Sequence, residues 1–409
     1  MLRLAISGWY GNNNIGDEAI LMGMLQSLRG EAPEADFLVF SDDPAHTECN
    51  HKVKAFPQLP MGMKRSFSLI THLTFWKFLW RLIKVIKGSD IFLLGGGGLL
   101  QHDNAGIILF WLSKAFLARI MGKRVIAYAI GAGPIRRRSS KIFVRLIGSK
   151  MDLITVRDED SRRALLHCGL KNSSIYVTAD PAFALCLDSV WIERMKEFLK
   201  ESGFDLAIEP SIGFVLLPLW SVHKMGRKVS LDEQSKYNRL IAQAIDSIIT
   251  KLNAQVLLIA DNYREDPPII IETHRLIKEK KSALIIQKHL TPYEFMGIIS
   301  QMDVLVSMRL HPLCLATLTH TPVVGIIGHP KVASFLQMIK QEKYGLLLEN
   351  LTSDQICKTV KQSLMEDNKI RKQLKDQAKF LREKAKLNAK LTIDLVNKVS
   401  LHPAKSQGK

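Results

Sequence analysis

The stretch that decides the fold is Leu2-Arg3-Leu4-Ala5-Ile6-Ser7-Gly8-Trp9-Tyr10-Gly11-Asn12-Asn13-Asn14-Ile15-Gly16-Asp17. Leu2 to Ser7 is apolar without alternation, as a strand buried on both faces should be. Gly8 to Asp17 reads as a turn, and a helix-like segment follows from Glu18. A turn between strand and helix brings backbone N–H groups and the helix dipole to one place, where an anion or a sugar can be held. It is neither a GxGxxG fingerprint nor a phosphate loop, because no Lys closes it. Asn14 and Asp17 are its polar candidates for an acceptor-side loop, and Asp17 is equally suited to cap the helix.

The same pattern returns along the chain. Asp90 to Leu94 runs into Gly95-Gly96-Gly97-Gly98, and Val125 to Ile130 runs into Gly131-Ala132-Gly133-Pro134. Leu153 to Val156 runs into Arg157-Asp158-Glu159-Asp160-Ser161. After a charged helix-like stretch around residues 186–210, five further apolar runs follow: Ile212 to Leu217, Ala254 to Ala260, Ala283 to Ile286, Val304 to Ser307 and Pro322 to Ile327. Apolar strands alternating with helices predict an α/β protein of two doubly wound, Rossmann-like domains. The expected boundaries are 1–190 and 208–409, with the second domain carrying a C-terminal helical extension. Two facing domains of this kind would line a cleft with the loops named above.

Composition narrows the class. The chain has 409 residues, too many for one ordinary core, and 47% are hydrophobic. Net charge is +18, which implies an anionic partner. No zinc-finger spacing, RNP-type aromatic motif or RGG tract points to nucleic acid. The five cysteines are far apart in sequence, which argues against a disulfide framework or a Cys-rich metal site and for reduced thiols. There is no HExxH or clustered His/Asp set for a metal, and no GxSxG elbow.

Four segments carry candidate chemistry. The run Gly95–Gly98 reads as a flexible turn that lets a ligand approach the main chain at Gly96, Gly97 and Gly98. His102, just after it, reads as a surface histidine. Arg157 ends a strand and offers a two-pronged grip on carboxylate or phosphate, unless Asp158 or Asp160 already takes it. Ser307-Met308-Arg309-Leu310-His311-Pro312 puts Arg309 and His311 at a strand end, where ligands collect, and an imidazole ordinarily titrates near ~6.5. Lys331 follows the next strand and is a second phosphate candidate.

These residues, in this order, resemble the polysaccharide pyruvyl transferases. The resemblance rests on Gly8-Trp9-Tyr10-Gly11 through Asn14-Ile15-Gly16-Asp17-Glu18-Ala19-Ile20-Leu21, the four-glycine run, Gly131-Ala132-Gly133-Pro134 and Arg157-Asp158-Glu159-Asp160-Ser161. It continues through Ala179-Asp180-Pro181, Met308-Arg309-Leu310-His311 and Pro330-Lys331, and it spans residues 1 to about 340. The nearest likeness is to the cell-surface anchoring branch, which modifies secondary cell-wall polymers for surface-layer attachment. The resemblance implies a glycosyltransferase-B-like fold and phosphoenolpyruvate as co-substrate, with no resident cofactor or metal. It also implies a lipid-linked glycan acceptor, with N-acetylmannosamine the sugar suggested. His311 would be the catalytic acid/base, and Arg157, Arg309 and Lys331 would hold the donor. A nucleotide-sugar glycosyltransferase of the same architecture is the alternative. Two places depart from the family pattern: Leu217-Pro218-Leu219-Trp220 lacks an expected Arg, and Gly328-His329 replaces an expected Tyr-Asp.

Lys64 to Lys87 interleaves six cations with five Phe and Trp and contains no acid. It reads either as a helix for an anionic membrane surface or as an amphipathic helix packed on the first sheet. Met1 opens directly on the first strand without signal-peptide character. The expected location is the cytoplasm, peripheral at the inner face of the cell membrane.

Overall fold

A computed structural model describes residues 1–58, 73–101, 104–171, 175–222 and 229–400. The chain divides into two compact units. One comprises 1–12, 17–185 and the chain from Leu381; the other comprises 13–16 and 186–380.

The first unit is built on eight strands: β1 (Arg3–Ser7), β2 (Asp36–Ser41), β3 (Lys54–Pro57), β4 (Ile91–Leu94), β5 (Gly97–Leu100), β6 (Arg124–Ala132), β7 (Leu153–Val156) and β8 (Ile175–Val177). Their order is β3-β2-β1-β4-β6-β7-β8, with β5 paired to β6. All pairs are parallel. The sheet is wound outward in both directions from the β1/β4 junction, and in such sheets ligands gather at the carboxyl end of that junction. There Gly95 N–H donates to the Ser7 carbonyl at 2.8 Å, so the two glycine-bearing loops emerge together.

Side chains alternate between two cores. Leu4, Ile6, Ile91 and Leu93 face the helix Ile15–Glu31 through Leu21, Met24 and Leu28, together with Ala389 and Ile393. On the opposite face Ala5, Phe92 and Val125 meet Leu82 and Ile86 of the helix Leu73–Lys87 and Ala115 and Ala118 of the helix Ala105–Ile120. Farther along that face Trp111 and Leu112 pack with Val144 and Ile147 of the helix Arg138–Gly148. Such two-sided burial is why these strands read as unbroken apolar runs.

The second unit has six parallel strands: β9 (Ser211–Val215), β10 (Gln255–Ile259), β11 (Ala283–Ile286), β12 (Val304–Ser307), β13 (Val323–Ile327) and β14 (Gly345–Leu347). The order β11-β10-β9-β12-β13-β14 is the doubly wound dinucleotide-fold order, with its switch between β9 and β12. Met308 N–H donates to the Val215 carbonyl across that switch at 3.3 Å.

Three features differ from the sequence reading. The second unit opens at Cys186 rather than near 208; the helix Ser189–Glu201, expected to separate the domains, packs within it through the stacked pair Trp191–Tyr293. The helix Asp367–Ser400 is counted with the second unit only to Phe380, whereas that domain was expected to continue to the C-terminus. From Leu381 the helix belongs to the first unit, where Asn388 is fully buried. Its Nδ2 donates to the Ala179 carbonyl at 3.1 Å, and its Oδ1 accepts from Thr178 Oγ1 at 2.7 Å. Of the cysteines, Cys168, Cys314 and Cys357 are buried while Cys49 and Cys186 are exposed. Among the described residues no helix is long and apolar enough to cross a membrane.

Asn388→Ala is expected to lower the unfolding free energy by about 2 kcal/mol, because it leaves buried polar groups without their partner. Urea denaturation measures this, with the exposed neighbour Lys386→Ala as a control expected to stay within about 0.5 kcal/mol. A loss as small as the control's would show that the helix is not anchored through Asn388.

Candidate active site

In the second unit the β12 strand ends at Ser307, and the helix Leu310–Leu318 begins at once. Ser307 Oγ closes the turn: it bonds the carbonyl of Arg309 and accepts from Arg309 N–H, both at 3.0 Å. His311 is therefore the second residue of a helix that starts at the carboxyl end of a central strand. Its ring lies against the bare Cα of Gly16. A Cβ at Gly16 would fall 2.1 Å from His311 Nδ1 and 2.4 Å from Cγ, distances no side chain can occupy.

Gly16 is held there by the main chain. Ile15 N–H donates to the Asp261 carbonyl at 2.9 Å, and Tyr263 N–H donates to the Asn13 carbonyl at 3.1 Å. Asn14 and Asn262 form an antiparallel bridge. Asn14, expected in the first domain, is thus part of the second unit, paired with the loop that follows β10.

That loop also surrounds Arg309. Asp266 Oδ1 forms a short ion pair with Nη2 of Arg309. Asp261 Oδ2 lies 3.6 Å from Nε, and Glu265 Oε2 lies 3.8 Å from Nη2. Asp266 Oδ2 in turn accepts from the N–H groups of Asp261 (3.1 Å) and Asn262 (2.8 Å), so one carboxylate both folds the turn and binds the guanidinium. Ser221 Oγ, after β9, donates to Glu265 at 2.7 Å. Burial disfavours the Arg309 charge, but Asp266, Asp261 and Glu265 together outweigh it and hold the proton more tightly than usual. Burial pushes the Asp266 carboxyl up to about 6, against the pull of Arg309. Lys331 follows β13, exposed, in the first turn of the helix Pro330–Met338. Its N–H donates to His329 Nδ1 at 3.2 Å. The β12 and β13 loops adjoin: a Cβ at Gly328 would lie 3.3 Å from Met308 Cε.

The first unit holds the remaining candidates. Strand β6 carries a bulge, with Ala129 at φ 47° and a register shift against β7 between Ala127 and Ile130. Thr155 Oγ1 stabilises it, accepting from Ala129 N–H at 2.6 Å. Beyond the bulge Gly131 lies against the Arg157 guanidinium, where a Cβ would be 3.0 Å from Nε and 3.1 Å from the Gly97 carbonyl. Arg157 is buried and ion-paired: Nη1 bonds Asp180 Oδ2 at 3.0 Å, and Nε lies 3.4 Å from Asp158.

The four glycines are not a loose turn, as the sequence suggested. Gly97 and Gly98 begin β5, with Gly97 at φ 94° facing Asp17. Gly95 and Gly96 are required by packing, since a Cβ would come 2.2 Å from the Tyr10 hydroxyl or 2.9 Å from Ile20 Cγ2. Asp17 lies in the first turn of a helix that begins at Ile15, so it is not the cap. The loop is fixed instead by Glu18, which accepts from Gly11 N–H (2.9 Å) and from His51 Nε2 (2.6 Å). Burial, then Asp17 and Glu18, raise the Tyr10 phenol far above its ordinary range. His102 falls outside the described residues.

The structure therefore joins Gly16, Arg309 and His311 in the second unit, and Asp17, Gly97 and Arg157 in the first. Sequence reasoning missed Gly16, Asp261, Asp266 and Glu18 as partners. Only the motif containing Gly16 and Glu18 had drawn attention to any of them. Among the described residues no group of three or more His, Cys, Asp or Glu is arranged to hold a metal ion.

Comparison with known proteins completes the description. The MnaA protein of S. aureus, solved with UDP, superposes with a TM-score of 0.63 at 13% identity over 100% of this chain and 99% of that one. A UDP-GlcNAc 2-epimerase from Neisseria meningitidis, bound to UDP-GlcNAc, gives 0.61 at 13% identity over 97% and 100%. This likeness is one of fold, and with it the architecture is of the glycosyltransferase-B-like kind expected. The amylovoran biosynthesis protein AmsJ of Erwinia amylovora is 20% identical, covering 90% of this chain and 98% of its own. The profile of the family described as polysaccharide pyruvyl transferase matches residues 14–330, a span that includes every candidate residue except Lys331. The chain belongs to the polysaccharide pyruvyl transferase family.

Proposed function

We propose that the protein transfers the enolpyruvyl unit of phosphoenolpyruvate to a sugar and closes it as a pyruvyl ketal, with His311 as the catalytic acid/base. The observation that carries this reading is the seating of His311. It stands at the carboxyl end of β12, at the switch of the second sheet, with its ring fixed against the bare Cα of Gly16. A group that moves protons must be held at one distance from the reacting atom, and this contact leaves the ring little freedom.

In the proposed reaction His311 gives a proton to the methylene carbon of phosphoenolpyruvate, leaving an oxocarbenium-like centre at the adjacent carbon. A sugar hydroxyl adds there, and its proton returns to the imidazole. A second hydroxyl of the same sugar then bonds to that carbon, and phosphate departs with the electron pair of its C–O bond, taking up the proton that this hydroxyl loses. Lys331, exposed in the first turn of the helix after β13, is the proposed cation for the phosphate. Arg157 is the proposed partner for the donor's carboxylate or phosphate. For Arg309 the geometry favours a further role beside donor binding: three carboxylates already match its charge, so it fixes the Asp261–Asp266 loop, to which the segment bearing Gly16 is bonded. The proposed acceptor is N-acetylmannosamine of a lipid-linked cell-wall polymer, as in the cell-surface anchoring branch.

The deciding experiment is phosphate release from phosphoenolpyruvate with that acceptor. Wild type should release phosphate only when acceptor is present, and His311→Ala should lower kcat by about 10²–10⁴. If wild type releases none and calorimetry detects no binding of phosphoenolpyruvate, the donor assignment fails; binding of UDP in its place would favour the glycosyltransferase alternative.

Gly16→Ala tests the contact itself. The added methyl must displace the imidazole, and kcat should fall at least about tenfold with the fold retained. Gly30→Ala, where nothing lies within 4 Å of the new Cβ, should be silent. Equal activities in the two variants would remove Gly16 from the site.

The Arg309 cluster has a pH signature. With its carboxyl raised to about 6, folded Asp266 holds a proton more tightly than the unfolded chain does. The stability this gives is complete below about pH 4 and lost as pH rises through about 6. Asp266→Asn should therefore flatten unfolding free energy against pH between those limits, by on the order of 2 kcal/mol. An unchanged slope in urea titrations would show that Asp266 is ionised throughout.

A further inference from the structure

Three neighbouring helices cover one face of the first sheet, and all three turn apolar side chains outward. The helix Leu73–Lys87 buries Leu82, Val85 and Ile86 against the sheet. Its outer face presents Trp76, Trp80 (62% exposed) and Ile83, flanked by exposed Lys77, Arg81, Lys84 and Lys87. The helix Ala105–Ile120 exposes Leu109, Phe116 and Ile120 (67%), spaced along one stripe. The helix Arg138–Gly148 exposes Ile142 and Leu146 (60%) beside Arg138 and Arg145.

Single exposed apolar residues are ordinary, but a run of them over three adjoining helices is not. Charge sets this layer apart further. The three helices, 73–87, 105–120 and 138–148, together carry nine Lys and Arg and no Asp or Glu, whereas a solvent-facing layer normally mixes both signs. Lys84 lies 5.0 Å from the ring of Trp80, an aromatic held beside its cation. Beside this helix a groove of about 610 Å³ is lined by Trp80, Arg81, Lys84, Arg3 and Lys54. Its acid, Asp36, is taken by Lys54 at 3.0 Å.

Tryptophan, phenylalanine and branched apolar side chains ringed by lysine and arginine suit the boundary between headgroups and acyl chains. There the rings enter the lipid while the long cationic stems reach phosphate. Spanning is excluded for the described helices, so the mode is lying on the surface. We infer that this three-helix face is a docking surface for an anionic phospholipid bilayer. The two readings of Lys64 to Lys87 then both hold for its described helix, whose inner face packs on the sheet and whose outer face meets lipid; residues 64–72 lie outside the described chain. The inference is independent of which sugar the enzyme modifies.

Flotation of the full chain with vesicles tests it. The protein should float with phosphatidylcholine vesicles containing about a third phosphatidylglycerol, not with phosphatidylcholine alone, and binding should weaken as salt rises. Each cation near the surface contributes roughly a fivefold factor in partitioning, so K77E/R81E/K84E should abolish flotation. W80S/I120S, at exposed positions, should weaken it while circular dichroism and thermal melting stay as in wild type. Failure to float with anionic vesicles overturns the inference, as does undiminished flotation of the charge-reversal variant. A dimer that W80S/I120S dissociates, without vesicle binding, would instead make the face a contact between two copies. A mobility shift with RNA, without vesicle binding, would make it a nucleic-acid surface.

Discussion

One guanidinium shared among three carboxylates holds the second unit's site together. Arg309 has only 13% of its side chain exposed and Asp266 none, so neither charge can rely on water. Removing either partner would strand the other, the costly case for buried ions. Because Asp266 also accepts two backbone N–H groups of its own loop, the ion pair and the turn stand or fall together. The turn positions Asn13 to Gly16, and Gly16 positions the His311 ring. A charge network on the loop after β10 thereby determines where that imidazole sits.

The first unit uses a different device for Arg157. A bulge in β6, stabilised by Thr155, brings Gly131 against the guanidinium, and Asp180 binds its far side. The residues just before Asp180 are tied to Asn388 near the C-terminus. Orientation of this arginine therefore draws on strands β6 and β7, the loop after β8 and a helix more than two hundred residues downstream.

Strands whose residues form an uninterrupted apolar run were legible: β7, β11 and β12 have the predicted limits, and β1, β4, β6, β9, β10 and β13 lie close to theirs. The edge strands β3, β8 and β14 are half-buried or exposed at most positions, so burial leaves little imprint on their sequence. Strand β2 was overlooked although Phe37 to Phe40 is apolar, and so was the cap beyond it, where Asp43 accepts from His46 N–H at the start of the helix Pro44–His51. Site residues at strand ends were legible as positions. Their partners were not, because Asp261 and Asp266 meet Arg309 from more than forty residues away, and sequence spacing carries no trace of that. The same limit explains the Gly95–Gly98 run: that a glycine is needed is visible, but the Tyr10 hydroxyl that demands it is not.

The first unit is interrupted in sequence, and this sets an order of events during synthesis. Its core includes Ala389 and Ile393, so a ribosome that has completed residue 185 has not yet made all the side chains this core requires. The second unit, apart from residues 13–16, is contiguous from 186 to 380 and can assemble while the C-terminal helix is still being translated. Domains that finish early usually lie at the N-terminus; here the N-terminal unit is the last to close. Until the final turns of that helix leave the exit tunnel, the sheet face against which they pack stays uncovered, open to chaperones and to other nascent chains.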